Sequence, residues 1–117
     1  MLEKVAWMNL LFDFYGQLLT DRQKDFMELY YGQDLSLGEI AEEFAVTRQA
    51  VHDTLKRAAQ LLSQYEEKLG LVEKFNSERN KLAEAGALLD QYSATCEDVR
   101  VQRARDILKE ILELTGK

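Results

Sequence analysis

The sequence predicts an all-α protein, and three observations support this fold class. Apolar residues recur every three or four positions along the chain, whereas alternation at period two persists nowhere. The 117 residues contain no proline, which fits long uninterrupted helices. Hydrophobic residues make up 46% and charged residues 31%, a balance typical of globular domains and not of disordered chains. We therefore expect one small helical domain with a helical extension.

The N-terminal part predicts two helices. Residues 3–18 place apolar and aromatic side chains along one side of a helix, which indicates deep burial. This stripe consists of Ala6, Trp7, Leu10, Leu11, Phe14, Tyr15 and Leu18. Thr20 and Gln23 form a capping box for the next helix, which we expect to end at Gly32. The helical spacing of the aromatic residues favours a core over a base-stacking surface, and Phe12 lies off the stripe, exposed or covered by another subunit.

Residues 36–57 predict a helix-turn-helix. Ser36 and Glu39 form a capping box for the first helix, and Thr47 caps the second. A shared apolar face runs along both helices and consists of Leu37, Ile40, Ala41, Phe44, Val46, Ala50, Val51 and Leu55. In such a motif the second helix presents side chains to the DNA major groove. Ala45 stands in the turn, where a positive φ is often needed and where alanine costs on the order of 1 kcal/mol.

The rest of the chain predicts three helical stretches. The second helix of the motif continues to a C-terminal cap at Gly70, and a further long helix follows it. A break at residues 93–95 separates this helix from the last one, with Thr95 as its cap. We expect residues 1–70 to form the helix-turn-helix domain and residues 71–117 to form an antiparallel helical hairpin.

The predicted hairpin has more apolar residues than two isolated helices can bury. These residues are Leu88, Leu89, Ile107, Leu108, Ile111 and Leu112. They pack either on residues 1–31 of the same chain or on a second subunit. We expect a homodimer, because helix-turn-helix proteins commonly dimerise through such extensions to span two half-sites.

The charge pattern singles out the second helix of the motif. The net charge is −6, which argues against broad, strong affinity for nucleic acid. Only this helix carries a local basic strip, and its outward residues are the candidates for nucleic-acid contact. These candidates are Thr47, Arg48, Gln49, His52, Asp53, Lys56 and Arg57. Arginine suits guanine, glutamine suits adenine, and a helix N-terminus suits phosphate. A protein-docking face and a merely solvated face remain the alternatives.

Enzymatic function finds little support in the sequence. His52 is the only histidine and Cys96 the only cysteine, so neither a metal cluster nor a nucleophile with its base is visible, and no cofactor site is predicted. We expect Cys96 to be a buried or half-buried thiol. A lone cysteine and the lack of a signal-peptide pattern predict a reduced cytoplasmic setting. No apolar stretch is long enough to cross a membrane.

Two resemblances sharpen these expectations. The segment E-I-A-E-E-F-A-V-T-R-Q-A-V and the preceding L-T-D-R-Q-K-D-F-M-E-L-Y-Y resemble region 4 of bacterial sigma factors, over about residues 18–60. The blocks W-M-N-L-L-F-D-F-Y-G-Q-L-L-T, Y-Y-G-Q-D-L-S-L-G-E-I-A-E-E-F and V-T-R-Q-A-V-H-D-T-L-K-R resemble the YlxM family of small helical proteins. That resemblance implies an accessory or regulatory protein of the signal recognition particle pathway, acting on its GTPases, its RNA or its genes. The alternative is a sequence-specific DNA-binding regulator.

Overall fold

A computed structural model describes residues 2–95 and 97–115, without the side chains of Leu2, Leu114 and Thr115. The described residues contain α-helices and helical turns and no strand, which confirms the all-α prediction. The helices are α1 (Leu2–Tyr15), α2 (Asp21–Met27), α3 (Leu37–Phe44), α4 (Arg48–Leu69), α5 (Leu71–Ser93) and α6 (Val99–Thr115). A 3₁₀ turn (Gly16–Leu18) follows α1, and a π-helical turn (Glu28–Gly32) follows α2. The chain divides into two compact units, Met1–Val72 and Glu73–Lys117.

The first unit is built around α4. Its core contains side chains from every helix of the unit, and α4 contributes four residues at helical spacing. These are Val51, Leu55, Ala58 and Leu62. They pack with Ile40 and Ala41 of α3 and with Phe26 and Met27 of α2. Because α4 is buried along one stripe only, its opposite side is left facing solvent.

The contribution of α1 to this core is narrower than the sequence suggested. Met8, Leu11 and Tyr15 are buried, whereas Trp7 is 42% and Leu18 is 58% exposed. Ala6 is exposed as well, so the prediction that Ala6, Trp7 and Leu18 belong to the core is wrong. A stripe as broad as the predicted one cannot lie entirely against one neighbouring surface, and the buried residues are those spaced three and four positions apart. Phe12 is half-buried and packs against this core.

The predicted starts of α2, α3 and α4 are confirmed. The Thr20 hydroxyl accepts a hydrogen bond from the Gln23 backbone N–H, while the Gln23 side chain accepts one from the Thr20 N–H. Ser36 and Glu39 make the same reciprocal pair at the start of α3, with distances of 2.9 and 3.1 Å. Thr47 caps α4 by accepting from the Ala50 N–H at 3.0 Å. Each cap satisfies backbone donors that the helix itself leaves unpaired.

Among residues 2–95 and 97–115, two residues other than glycine take left-handed backbone conformations. Ala45 ends α3 with φ 55° and ψ 45°, as the turn of the motif requires. The Val46 N–H then bonds the Ala41 carbonyl at 3.0 Å and closes the end of the helix. The second residue is Asp34, with φ 58°. The helical segment ends at Gly32 as expected, but Asp34 makes the left-handed turn, because aspartate tolerates this region better than most residues.

The junction between α4 and α5 is tightly bonded. Gly70 caps α4 with φ 61°, which confirms the prediction. The first backbone N–H groups of α5 are bonded by side chains from α1 and α4. The Leu71 N–H donates to the Tyr15 hydroxyl at 3.1 Å, and the Val72 N–H donates to the Glu66 carboxylate at 3.0 Å. Val72 itself is completely buried.

In the second unit α5 and α6 run antiparallel. Arg79 donates to the Leu112 carbonyl at 3.2 Å, and Arg105 donates to the Ser93 hydroxyl at 3.1 Å and lies 3.6 Å from Asp90. The first contact joins the N-terminal half of α5 to the end of α6, and the contacts of Arg105 join the end of α5 to the first half of α6. Of the described side chains between positions 73 and 113, none is buried. The hairpin therefore has no closed core of its own.

The last helix starts differently from the prediction. The Asp98 carboxylate accepts from the Arg100 backbone N–H at 2.9 Å, and the Asp98 carbonyl accepts from Val101 and Gln102. Thr95 instead donates its hydroxyl to the Tyr92 carbonyl and closes the end of α5. The prediction of Thr95 as the cap is therefore wrong, since a carboxylate adjacent to the helix start competes better for its N–H groups. Cys96 lies outside the described residues, so the expectation for its thiol stays a prediction.

Candidate nucleic-acid interface

The exposed side of α4 begins at the turn of the motif. The structure places all of the candidate residues on it, in two rows along successive turns, and all of them are exposed. One row consists of Arg48, His52 and Lys56. The other consists of Gln49, Asp53 and Arg57. Thr47 stands at the helix start, where its hydroxyl caps the helix and retains a proton to donate. The candidate residues thus form one continuous surface, the α4 face.

Hydrogen bonds within the α4 face orient its polar side chains. The Gln49 amide donates to the Asp53 carboxylate at 2.9 Å, and His52 Nδ1 lies 3.5 Å from the same oxygen. Asp53 therefore acts as an anchor for both neighbours. The α4 face carries three cationic side chains, Arg48, Lys56 and Arg57, and one carboxylate, Asp53. Its local charge is therefore positive although the chain as a whole is acidic.

Arg48 lies against α3. A Cβ atom at Gly38 would stand 3.0 Å from Arg48 Nε and 3.1 Å from Arg48 Nη2, so the guanidinium rests directly on the glycine backbone. Gly38 is a positioning residue that sequence reasoning missed. A glycine inside a short helix costs about 1 kcal/mol relative to alanine, and this cost is a signal of close approach.

A second missed residue is Arg22 of α2. Its guanidinium lies 5.5 Å from the centre of the Phe26 ring and 5.4 Å from that of Phe44. Arg22 and Arg57 line the same recess of about 460 Å³ beside α4. The stacking holds the Arg22 cation on the edge of the α4 face. No motif spacing pointed to Arg22, because its position depends on how α2 packs on α3 and α4.

The side of α3 that faces solvent is acidic. Glu39, Glu42 and Glu43 are all exposed. Hydrogen bonds from Ser36 lower the pKa of Glu39, which therefore stays ionised well into acidic solution. In helix-turn-helix proteins the first helix normally crosses the phosphate backbone, so three carboxylates there oppose tight binding.

The described residues show neither a metal-binding cluster nor a membrane-spanning helix. Across residues 2–95 and 97–115, no three His, Cys, Asp or Glu side chains come together in a way that suits a metal ion. Over the same ranges, no helix combines the length and the apolar character that a membrane span requires.

The capped α3, the left-handed turn at Ala45 and the exposed face of α4 define a helix-turn-helix protein. Comparison with known proteins gives the family. The chain belongs to the UPF0122 family, whose model, described as "Putative helix-turn-helix protein, YlxM / p13 like", matches residues 2–100. This match confirms the resemblance to the YlxM family seen in the sequence.

Close relatives cover almost the whole chain. A UPF0122 protein of Desulforamulus reducens is 60% identical over 106 residues, which is 91% of each chain. UPF0122 proteins of Bacillus cereus and Bacillus anthracis are 50% identical over 100 residues, which is 86% of this chain and 91% of theirs. Most of α6 lies beyond the part that the family model matches.

Proposed function

We propose that this protein is a non-enzymatic regulator that binds duplex DNA through the α4 face. The observation that carries the proposal is the arrangement of Arg48, Gln49, Lys56 and Arg57 in exposed rows beside the capped start of α4. Arginine and glutamine at the start of such a helix suit base edges, and the cations further along suit phosphates. The acidic α3 keeps the affinity modest, so nonspecific binding is confined to low salt and tighter binding requires a matched sequence.

The test is fluorescence anisotropy with labelled duplex DNA across a salt series. Random duplex should bind at about 50 mM salt and be released steeply as the salt rises. Replacing Arg48 and Gln49 together by alanine should abolish selection of a specific site. Replacing Lys68 and Gln64, an equivalent cation and amide at the exposed far end of α4, is the matched control. Equal binding by the two double variants would overturn the role of the α4 face, provided that circular dichroism shows both folded.

A second candidate function is suggested by the acidic side of α3 and by the family resemblance. In this alternative the helix-turn-helix contacts a component of the signal recognition particle pathway, either a GTPase or the RNA. Glu39, Glu42 and Glu43 would suit a basic protein surface, because opposite charges steer association. A pull-down at low salt with the purified particle and its receptor separates the two candidates. Loss of this association on replacing the three glutamates by glutamine would favour the alternative, whereas DNA binding by the same variant should rise because three opposing carboxylates are removed.

The hairpin has a separate role in this proposal. We assign residues 1–70 to recognition and residues 71–117 to self-association, so that a homodimer presents two α4 faces. Leu88, Val99 and Ile107 are 60%, 74% and 40% exposed, which is unusual for side chains of this size on one small unit. Residues 73–117 carry nine acidic and eight basic side chains, a net charge of −1, so that two copies do not repel each other. The rest of the chain carries the remaining −5.

We place this activity in the cytoplasm. A regulator of genes or of the signal recognition particle works there, and a chain with one cysteine needs no oxidising compartment for its fold.

A further inference from the structure

A groove of about 360 Å³ opens in the first unit, beside the α4 face. It is bordered by α1, the π-helical turn, α3 and α4. Met8 and Leu55, both 7% exposed, belong to its apolar floor. Its volume lies in the range that small-molecule sites occupy, and its mix of apolar surface with a few polar groups is typical of such sites.

The charge of this groove is opposite to that of the protein. Its cationic side chains are Lys4 of α1 and Lys56 of α4, and the imidazole of His52 lines it beside Lys56. No carboxylate is among the described residues that line it, although the chain has 21 acidic residues against 15 lysines and arginines. Asp53 lies outside the lining of the groove, and its carboxylate is 3.5 Å from Nδ1 of the lining residue His52. The groove therefore favours an anion.

Two consecutive tyrosines form an aromatic wall. Tyr30 and Tyr31 lie in the π-helical turn, with ring centres 4.9 Å apart and planes at 83°. The Asn9 side chain donates to the Tyr31 carbonyl at 3.3 Å and ties the turn to α1. Such π-helical turns are frequent at functional sites, because they change which way successive side chains point. Because the two rings are nearly perpendicular, a planar ligand can stack on the face of one of them and meet the edge of the other.

We propose that this groove binds a mononucleotide, with its base against Tyr30 and Tyr31 and its phosphate near Lys4 and Lys56. The apolar floor and the aromatic wall account for a planar ring, and the lysines account for the negative charge. The proposal does not depend on DNA binding by α4. Where the proposed function also holds, His52 and Lys56 belong to both sites, so the nucleotide and DNA weaken each other's binding to the same degree.

The test is a titration of the full chain with each of the four ribonucleoside 5′-monophosphates, followed by isothermal calorimetry and by NMR of the backbone amides. We expect at least one to bind, with shifts concentrated around residues 4, 30, 31 and 56. The corresponding nucleoside and inorganic phosphate should each bind at least about tenfold more weakly, a loss of about 1.4 kcal/mol. Phosphate alone binding as well as the nucleotides, or no binding by any of the four, would overturn the proposal.

Matched variants locate the site. Replacing Lys4 and Lys56 by glutamine should weaken binding about tenfold, as should replacing the exposed Tyr30 by alanine. Replacing Lys68 and Lys81, which are exposed elsewhere, removes the same charge and should leave the affinity unchanged. An equal loss with this control pair would show nonspecific attraction and contradict the proposal. The nucleotide titration is run without DNA, so a failure of DNA binding cannot imitate a failure of this site.

Discussion

The Tyr15 hydroxyl donates a 2.6 Å hydrogen bond to the Glu66 carboxylate, joining the end of α1 to the last turns of α4 across 51 positions of sequence. The two side chains also accept the first backbone N–H groups of α5, from Leu71 and Val72. A negative carboxylate at a helix N-terminus is favourable, because the unpaired N–H groups carry partial positive charge. The buried Tyr15 and the half-buried Glu66 thus tie α1 and α4 to the first turn of α5 within the first unit.

Replacing Tyr15 by phenylalanine should destabilise the protein. The change removes the donor to Glu66 and the acceptor for Leu71, and leaving buried polar groups unpaired costs about 1–3 kcal/mol. Urea unfolding followed by circular dichroism measures the loss. Tyr65→Phe is the control, because its ring lies 6.0 Å from that of Tyr15 and only one hydroxyl is removed. A loss no greater than that of the control would show that the Tyr15 network contributes little.

The same tyrosine predicts a loss of stability in alkali. Burial, and then its hydrogen bond to Glu66, raise the pKa of Tyr15 above its ordinary value of 10.0. The folded state therefore holds this proton more tightly than the unfolded chain. Its contribution is fully present below about pH 10 and is lost as the pH rises through the folded-state pKa. Melting temperatures across this range should fall less steeply for Tyr15→Phe, and identical slopes would contradict the assignment.

Replacing Ala45 by glycine should stabilise the protein. Ala45 sits at φ 55°, a conformation that costs a residue with a Cβ about 1–2 kcal/mol, part of which is offset by the greater flexibility of glycine when unfolded. We expect a net gain of about 0.5–1 kcal/mol in urea unfolding. The same substitution at Ala6, exposed within α1, should have the opposite sign. Two changes of the same sign would indicate that the turn is not strained.

Replacing Asp53 by alanine should strengthen DNA binding. The change removes the carboxylate from the α4 face and releases the Gln49 amide that it holds. An exposed charge interaction is worth about 0.2–1 kcal/mol, so the affinity at low salt should rise by a factor of about 1.4 to 5. Glu67→Gln, an exposed carboxylate near the other end of α4, is the control. If anisotropy titrations show the same increase in DNA affinity for both variants, the effect comes from the net charge of the protein and not from the α4 face.

Replacing Leu88 by glutamate should dissociate the proposed homodimer. Leu88 is 60% exposed, and a charge at this position would be desolvated in an interface between two hairpins. The control is Ala83→Glu, because Ala83 is exposed and lies about 140° around α5 from Leu88. Light scattering after size exclusion should give a monomer only for Leu88→Glu. A monomeric parent protein would contradict the assembly outright.

Local signals in the sequence predicted where helices begin and end better than they predicted which side chains are buried. Thr20, Ser36, Thr47 and Gly70 act as caps where the sequence placed them, because a cap depends on neighbours within a few residues. Trp7 shows the limit. Its spacing fits an apolar stripe, but whether it is buried depends on which surface α1 meets, and that surface is made by α4, many residues away.

The residues of the candidate site also divide into those that local sequence predicted and those that tertiary packing determines. The exposed rows of α4 followed from helical periodicity and from the position of Thr47. The placement of Arg48 on Gly38, and of Arg22 on two phenylalanine rings, did not follow from it. Both depend on tertiary packing between helices. The π-helical turn that presents Tyr30 and Tyr31 was also missed. Nothing in a short polar and aromatic segment distinguishes the i→i+5 hydrogen bonds of a π-helix from the i→i+4 bonds of an α-helix.

The unbroken course of α4 has a consequence for helical phase. The cap at Thr47 and the carboxylate of Glu66 belong to one continuous helix, in which each residue adds about 100° of rotation and 1.5 Å of rise. Inserting a single residue in the middle of α4 would turn the α4 face by about 100° relative to the Tyr15 anchor. Seven inserted residues would nearly restore the angle and lengthen the helix by about 10 Å. The orientation of the recognition surface is therefore set by counting residues between two fixed ends.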